Sequence, residues 1–262
     1  MPFVSINTRC LEYQWFGEDR GDPAIVMLHE GLGSVAIWKD LPIQLSDATG
    51  RRVLAYSRYG YGKSDPIREK RTPKYLHDEA LETLPSFLSK LGVRSPVLFG
   101  HSDGASIALI HAGANYADTT GVIALAPHVF VETMSLDGIR QTRGAYLATD
   151  LRHRLARYHQ DPDSAFWGWN DIWLDERFRS WNIEEYLPRT RCPILAIQGV
   201  QDEYGTLEQV ERIVRLAPRA ESLILDKCGH SPQRDQTSTV IDAVARFVAA
   251  QGLQSNAPAF PG

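Results

Sequence analysis

Cysteine is scarce in this 262-residue sequence, at three residues. Cys10, Cys192 and Cys228 are odd in number, widely spaced and never in a C-x-x-C pair, so neither a disulfide framework nor a zinc site is indicated. A reducing, cytoplasmic compartment is the expectation. No run of 18 apolar residues occurs, and the start MPFVSINTRCLEYQWFG lacks the basic opening and continuous apolar stretch of a secretion signal. A soluble protein without membrane association is therefore expected. A strong charge of either sign is also missing. With 28 Lys and Arg against 32 Asp and Glu, the net charge of -4 offers no electrostatic attraction for nucleic acid or an anionic membrane. The expected partner is a small molecule, and nothing in the sequence indicates an oligomer.

What is present is the composition of an ordinary globule, 43% hydrophobic and 23% charged, enough to bury a sizeable core without cross-links. Residues 3 to 16 are rich in β-branched and aromatic types around a polar NTR break, which suits an antiparallel hairpin at a sheet edge. Short apolar runs follow: AIVML (24 to 28), VLAYS (53 to 57), VLF (97 to 99), VIALA (122 to 126), ILAIQG (194 to 199) and SLILD (222 to 226). Near-continuous apolar strands are what a parallel sheet covered on both faces requires. Helical patterns lie between them, at Tyr75 to Lys90, Ala105 to Tyr116, Leu207 to Leu216 and Val240 to Ala250. The alternation predicts an α/β fold with a doubly wound, mostly parallel sheet. It lapses between Pro127 and Pro193, where the chain reads as helical, aromatic and arginine-rich. We therefore expect a core of residues 1–132 and 188–262 carrying a small helical cap insertion over 133–187. The tail QSNAPAFPG is expected to fray and carry no chemistry.

Gly100-His101-Ser102-Asp103-Gly104 directly follows the run VLF and precedes a helical pattern. A G-x-S-x-G pentapeptide arises by chance in roughly one chain in ten of this length, so the strand-to-helix context carries the argument. In that context the serine sits on a tight turn, flanked by glycines because larger side chains would meet neighbouring backbone. A serine hydroxyl needs an adjacent base, and the base needs an acid to fix its tautomer. Val200-Gln201-Asp202 follows ILAIQG, and Lys227-Cys228-Gly229-His230 follows SLILD. Both lie past the carboxyl end of a predicted strand, the edge where open α/β sheets carry their sites. Ser102, Asp202 and His230 are thus the candidate nucleophile, acid and base, with Glu203 an alternative to Asp202 and His128, just past a strand end in APH, the rival to His230.

Five ordered segments, LHEGLGS (28 to 34), SRYGYGKSD (57 to 65), FGHSDGAS (99 to 106), IQGVQDEYG (197 to 205) and CGHSPQRD (228 to 235), resemble the α/β-hydrolase fold family over nearly the whole chain. HEGLGSVAIW and APHVFVE are similar to a soluble bacterial branch, part of which is linked to the breakdown of aromatic compounds. The resemblance implies a serine hydrolase with a Ser-Asp-His triad and no cofactor or metal. It also implies an oxyanion hole formed by the backbone N–H groups of Asp103 and Gly31. The usual His-Gly opening of the second loop reads His29-Glu30 here, which puts a carboxylate near the site.

Glu30, His128, Trp167 and Trp169 are the candidate substrate-binding residues. Trp167, Trp169, Trp173 and Trp181 either wall the site or pack the insertion onto the core. Arg140, Arg143, Arg152, Arg154 and Arg157 either attract an anionic substrate or line a solvated helix face. Of the remaining histidines, His29 is expected beneath its loop, His101 facing away from the serine, His111 within a helix, and His77, His153 and His159 at the surface. The reaction expected is hydrolysis of a carboxylic ester of a small, partly apolar or aromatic acid through an acyl-enzyme. An acyl-CoA thioesterase, a lactonase and a carbon–carbon bond hydrolase are alternatives within the enzyme class. A non-catalytic receptor of the same fold is the alternative outside it.

Overall fold

The structure, a computed structural model, describes residues 2–21, 23–114 and 119–251. The expected tail QSNAPAFPG and the end of the predicted helix at Tyr116 lie outside the described residues. The strands are β1 (Phe3–Ile6), β2 (Arg9–Phe16), β3 (Ile25–Leu28), β4 (Val53–Tyr56), β5 (Val97–His101), β6 (Gly121–Leu125), β7 (Ile194–Gly199) and β8 (Ala220–Leu225). They form one sheet in the order β1-β2-β4-β3-β5-β6-β7-β8. β1 pairs β2, and β2 pairs β4, antiparallel, while every later pairing is parallel. The hairpin turns through Asn7 and Thr8, both at positive φ.

Burial explains why the central strands read as unbroken apolar runs. β3, β4, β5, β6 and β7 are buried at every residue. Successive side chains alternate faces, so Val26, Leu28 and Leu98 join one core layer while Ile25, Met27 and Phe99 join the other. The second layer is closed by α1 (Leu41–Thr49) and α10 (Thr237–Ala250), through Leu41, Leu45, Val240, Val244 and Phe247. The first is closed by the helical stretch α2 (Tyr75–Asp78), a π turn (Glu79–Thr83) and α3 (Leu84–Lys90), with α4 (Asp103–Gly113) beside it. α4 is buried along its whole length.

Between β6 and β7 the chain forms α5 (Thr133–Ala148), α6 (Leu151–Leu155), α7 (Pro162–Trp173) and two 3₁₀ turns, Glu176–Phe178 and Glu184–Arg189. α7 starts where its sequence dictates. The Asp161 carboxylate accepts from Ser164 N at 2.9 Å, and Pro162 occupies the first turn, where its missing N–H costs nothing. After β7 come α8 (Glu208–Leu216) and, beyond β8, α9 (Pro232–Asp235). No helix among the described residues is long and apolar enough to cross a membrane.

Candidate active site

Four loops at the carboxyl ends of β3, β5, β7 and β8 converge on Ser102. The register Leu28↔Gly100 lays the loop after β3 beside the end of β5, and Ser102 N donates to Leu125 O at 2.9 Å. Ser102 has φ 53 and ψ -117, a conformation that costs a non-glycine residue of order 1–3 kcal/mol and is held only when its surroundings over-determine it. The flanking glycines make it feasible. A Cβ on Gly100 would run into Gly104 O and Ala105 N, and one on Gly104 would meet Leu28 O. As the residue before α4, Ser102 sits where the first N–H groups of that helix have no intrahelical acceptor.

His230 Nδ1 lies 2.8 Å from Asp202 Oδ1. A carboxylate only accepts, so Nδ1 is the donating nitrogen of the pair. Asp202 is in turn fixed by Tyr204 N at 2.8 Å and Gln198 Nε2 at 3.2 Å. Burial pushes its carboxyl up, but the hydrogen bond and charge of His230, with the Tyr204 N–H, hold it below the usual range. Glu203 makes a different contact, accepting from His230 N at 3.2 Å.

Ser102, His230, His128, Glu30 and Gly31 line one cavity of about 170 Å³, together with Leu32, His101, Ser135, Ile139, Trp169, Trp173, Tyr204, Ser231 and Arg234. Gly31 has no room for a side chain, because a Cβ there would occupy the indole of Trp169. Glu30 reaches into the wall, with Oε2 3.4 Å from His101 Nδ1. Burial alone would raise its carboxyl, but the hydrogen bond and charge of His101 lower it to about 2. It is therefore an anion at neutral pH. His128 stacks edge-on against Trp173 at 5.1 Å, and burial followed by the neighbouring charge of His230 lowers it to about 4.

Asp103 is completely buried, and its carboxylate gathers three donors: Tyr75 OH at 2.9 Å, Trp173 Nε1 at 3.1 Å and Arg58 Nη2 at 3.4 Å. The same Arg58 nitrogen donates to Glu30 O at 2.9 Å. One guanidinium thus ties the loop after β3 to the serine turn. His29 sits beneath that loop, donating from Nδ1 to Glu30 O at 2.7 Å and accepting Arg58 N at Nε2.

The structure corrects several expectations. Trp167 is not in the serine cavity; it lines a separate groove with Arg143, whose guanidinium lies 5.2 Å above its ring. Residues 169 and 173 share a helix face, and 167 falls on another. Trp173, Tyr204 and Ile139 line the cavity instead. Their apolar character made them look like core, and only the i, i+4 spacing of Trp169 and Trp173 hinted otherwise. His101 does not face away from Ser102. It lines the same cavity, and Nε2 donates to His230 O at 2.7 Å. His159 is buried, not exposed, because Nδ1 accepts Gly62 N at 3.0 Å and Nε2 donates to Leu32 O at 2.9 Å. The arginines are largely paired on the surface, Arg140 with Asp137, Arg152 with Asp163 and Arg154 with Asp150. Among the described residues no group of three or more His, Cys, Asp or Glu could hold a metal ion.

Comparison with known proteins agrees with this architecture. The Alpha/beta hydrolase family matches residues 25–243. A proline iminopeptidase of Heyndrickxia coagulans is 21% identical over 285 residues, covering 94% of this chain and 97% of its own. A 2-hydroxy-6-oxononadienedioate/2-hydroxy-6-oxononatrienedioate hydrolase of Dechloromonas aromatica is 26% identical over 88% of this chain and 89% of its own. A solved carboxylesterase structure from the Thaumarchaeon Nitrososphaera gargenis superposes with a TM-score of 0.78 at 19% identity, over 96% of this chain and 99% of that one. The fold, the ordered motifs and the span of the match together place this chain in the alpha/beta hydrolase family.

Proposed function

We propose that the chain is a serine hydrolase that cleaves the carboxylic ester of a small, partly apolar or aromatic acid, with residues 133–187 acting as its cap. The observation that carries this reading is the shared cavity. A serine on a strained strand-to-helix turn opens into the same small space as a histidine whose other nitrogen is bound to a buried carboxylate.

In this mechanism Ser102 Oγ attacks the ester carbonyl carbon as His230 Nε2 takes its proton, and Asp202 stays ionised, steadying the imidazolium. The carbonyl oxygen becomes an oxyanion that accepts from the N–H groups of Gly31 and Asp103, each such donor being worth on the order of 10²–10³ in turnover. Collapse breaks the acyl C–O bond, and His230 returns the proton to the leaving oxygen. Water, deprotonated by His230, then attacks the acyl-enzyme and releases the acid and Ser102.

Ile139, Trp169, Trp173 and Tyr204 give the inner cavity an aromatic wall, which supports an apolar acyl group. The Glu30 carboxylate opposes a second negative charge there. The pairing of Arg140, Arg152 and Arg154 weakens the argument for an acyl-CoA docking surface.

The test is labelling with an aryl phosphonate, followed by mass spectrometry and turnover of a phenyl or nitrophenyl ester of acetate or benzoate. One adduct is expected, on Ser102, with Ser102→Ala folded but unlabelled and inactive. An adduct on another residue, or an active Ser102→Ala, overturns the assignment. Labelling without turnover of any ester would favour a receptor.

A further inference from the structure

The reaction releases two fragments, and the cavity around Ser102 holds about 170 Å³. A second, larger cleft of about 600 Å³ adjoins it, and Arg234 lines both. This cleft runs between the sheet side, through Trp38 and Leu41, and the helical segment, through Leu151, Leu155 and Tyr158. We propose that it is the subsite for the leaving group, and that Arg234 selects an apolar or aromatic alcohol bearing an anionic group such as a carboxylate. The proposal rests on the reading of Ser102 as nucleophile and His230 as base.

The direction follows from the proton. The base that deprotonates the serine must hand that proton to the departing oxygen, so the leaving group has to lie on the His230 side of the scissile bond. Gln233, Arg234 and Thr237 continue the chain directly from His230 through α9, and all three line the outer cleft. The acyl group is left to the inner cavity, against Trp169 and Ile139.

The charge follows from the residues present. Arg234 is exposed, and among the described residues no carboxylate is in ion-pair contact with it. Lys39 adds a second cation to the cleft, against Asp40, while Arg154 is already committed to Asp150 at 3.2 Å. Glu30 lies on the inner side as an anion. An ester with its negative charge on the alcohol half places that charge beside Arg234 and Lys39 and away from Glu30.

The experiment compares 4-acetoxybenzoate, which releases an anionic phenol, with the neutral 4-acetoxybenzamide, by kcat/KM, in wild type and in Arg234→Gln, Arg234→Lys and Arg234→Glu. Comparing the ratio across variants cancels the intrinsic reactivity of the two esters. The ratio is expected to fall about tenfold in Arg234→Gln, the scale of one hydrogen bond to a charged group, to be largely kept in Arg234→Lys, and to fall further in Arg234→Glu. A ratio unchanged by Arg234→Gln overturns the subsite. If the neutral ester is turned over and Ser102 is labelled, that failure belongs to the subsite alone. If neither ester reacts and no phosphonate adduct forms, it is the serine hydrolase reading that falls.

Discussion

Two adjacent carboxylates make different contacts with one histidine, and this separates their roles. Asp202 meets the imidazole at 2.8 Å, whereas Glu203 meets the backbone N–H of the same residue at 3.2 Å. Asp202→Asn is expected to lose on the order of 10⁴ in turnover, because an amide in that position no longer enforces the working tautomer. Glu203→Gln keeps an oxygen that can accept from His230 N and is expected to lose little. Turnover of one ester at fixed pH by both variants decides between them; equal losses would indicate a shared acid. Sequence order and strand position named Ser102, Asp202 and His230 as candidates, and the structure brings Ser102 and His230 to one cavity with Asp202 2.8 Å from the imidazole. The sequence put the Glu30 carboxylate near the site but not its approach to His101, which depends on the approach of β3 to β5 and on the bond from His101 to the His230 carbonyl.

At the scale of elements, α7 decides which tryptophans can meet a substrate. Trp169 and Trp173 are one helical turn apart and face the serine cavity, while Trp167 faces the groove holding Arg143. Trp169→Ala is expected to change the ranking of acetate, butyrate and benzoate esters by tenfold or more, since it removes a wall of the inner cavity and opens the space above Gly31. Trp167→Ala should leave the ranking unchanged and lower the melting temperature slightly. Measured selectivities that shift with Trp167 and not Trp169 would reverse the assignment. The strands and helices of the core were legible because each is a local pattern: all-buried runs such as Ile194–Gly199, and amphipathic stretches such as Glu208–Leu216. A tryptophan's destination is set by which face of α7 the rest of the molecule covers, and a count of aromatics does not reveal that.

At the scale of the whole molecule, buried neutral histidines set the acid side of stability. His128 sits at about 4 in the fold against an ordinary 6.5, chiefly through burial, and His29 is also lowered, by burial and then by Arg58. The unfolded chain therefore binds protons that the folded chain refuses as pH falls from about 6.5 toward 4. Stability is full above that window and lost within it, and for His128 alone the loss is of order 3 kcal/mol. Glu30 extends the decline, from 4.5 down to about 2, while Glu79, raised by burial, acts in the opposite sense. Denaturant midpoints should fall steadily between pH 7 and pH 4.5, and His128→Asn should flatten part of the slope. A midpoint independent of pH over that range would contradict the neutral burial of these side chains.

The carboxylate of Asp103 gives the same architecture a consequence for engineering. Its donors come from three separate stretches of chain, Arg58 after β4, Tyr75 in α2 and Trp173 in α7, and they meet at the residue that follows Ser102. The helical segment between β6 and β7 is thus wired into the serine turn through Trp173. A chimera that exchanges residues 133–187 for those of a relative would leave the buried carboxylate beside Ser102 with Arg58 and Tyr75 but without its Trp173 donor unless an equivalent came with the graft. Specificity in this scaffold is better redesigned one side chain at a time, along α5 and α7, than by transplanting the whole module.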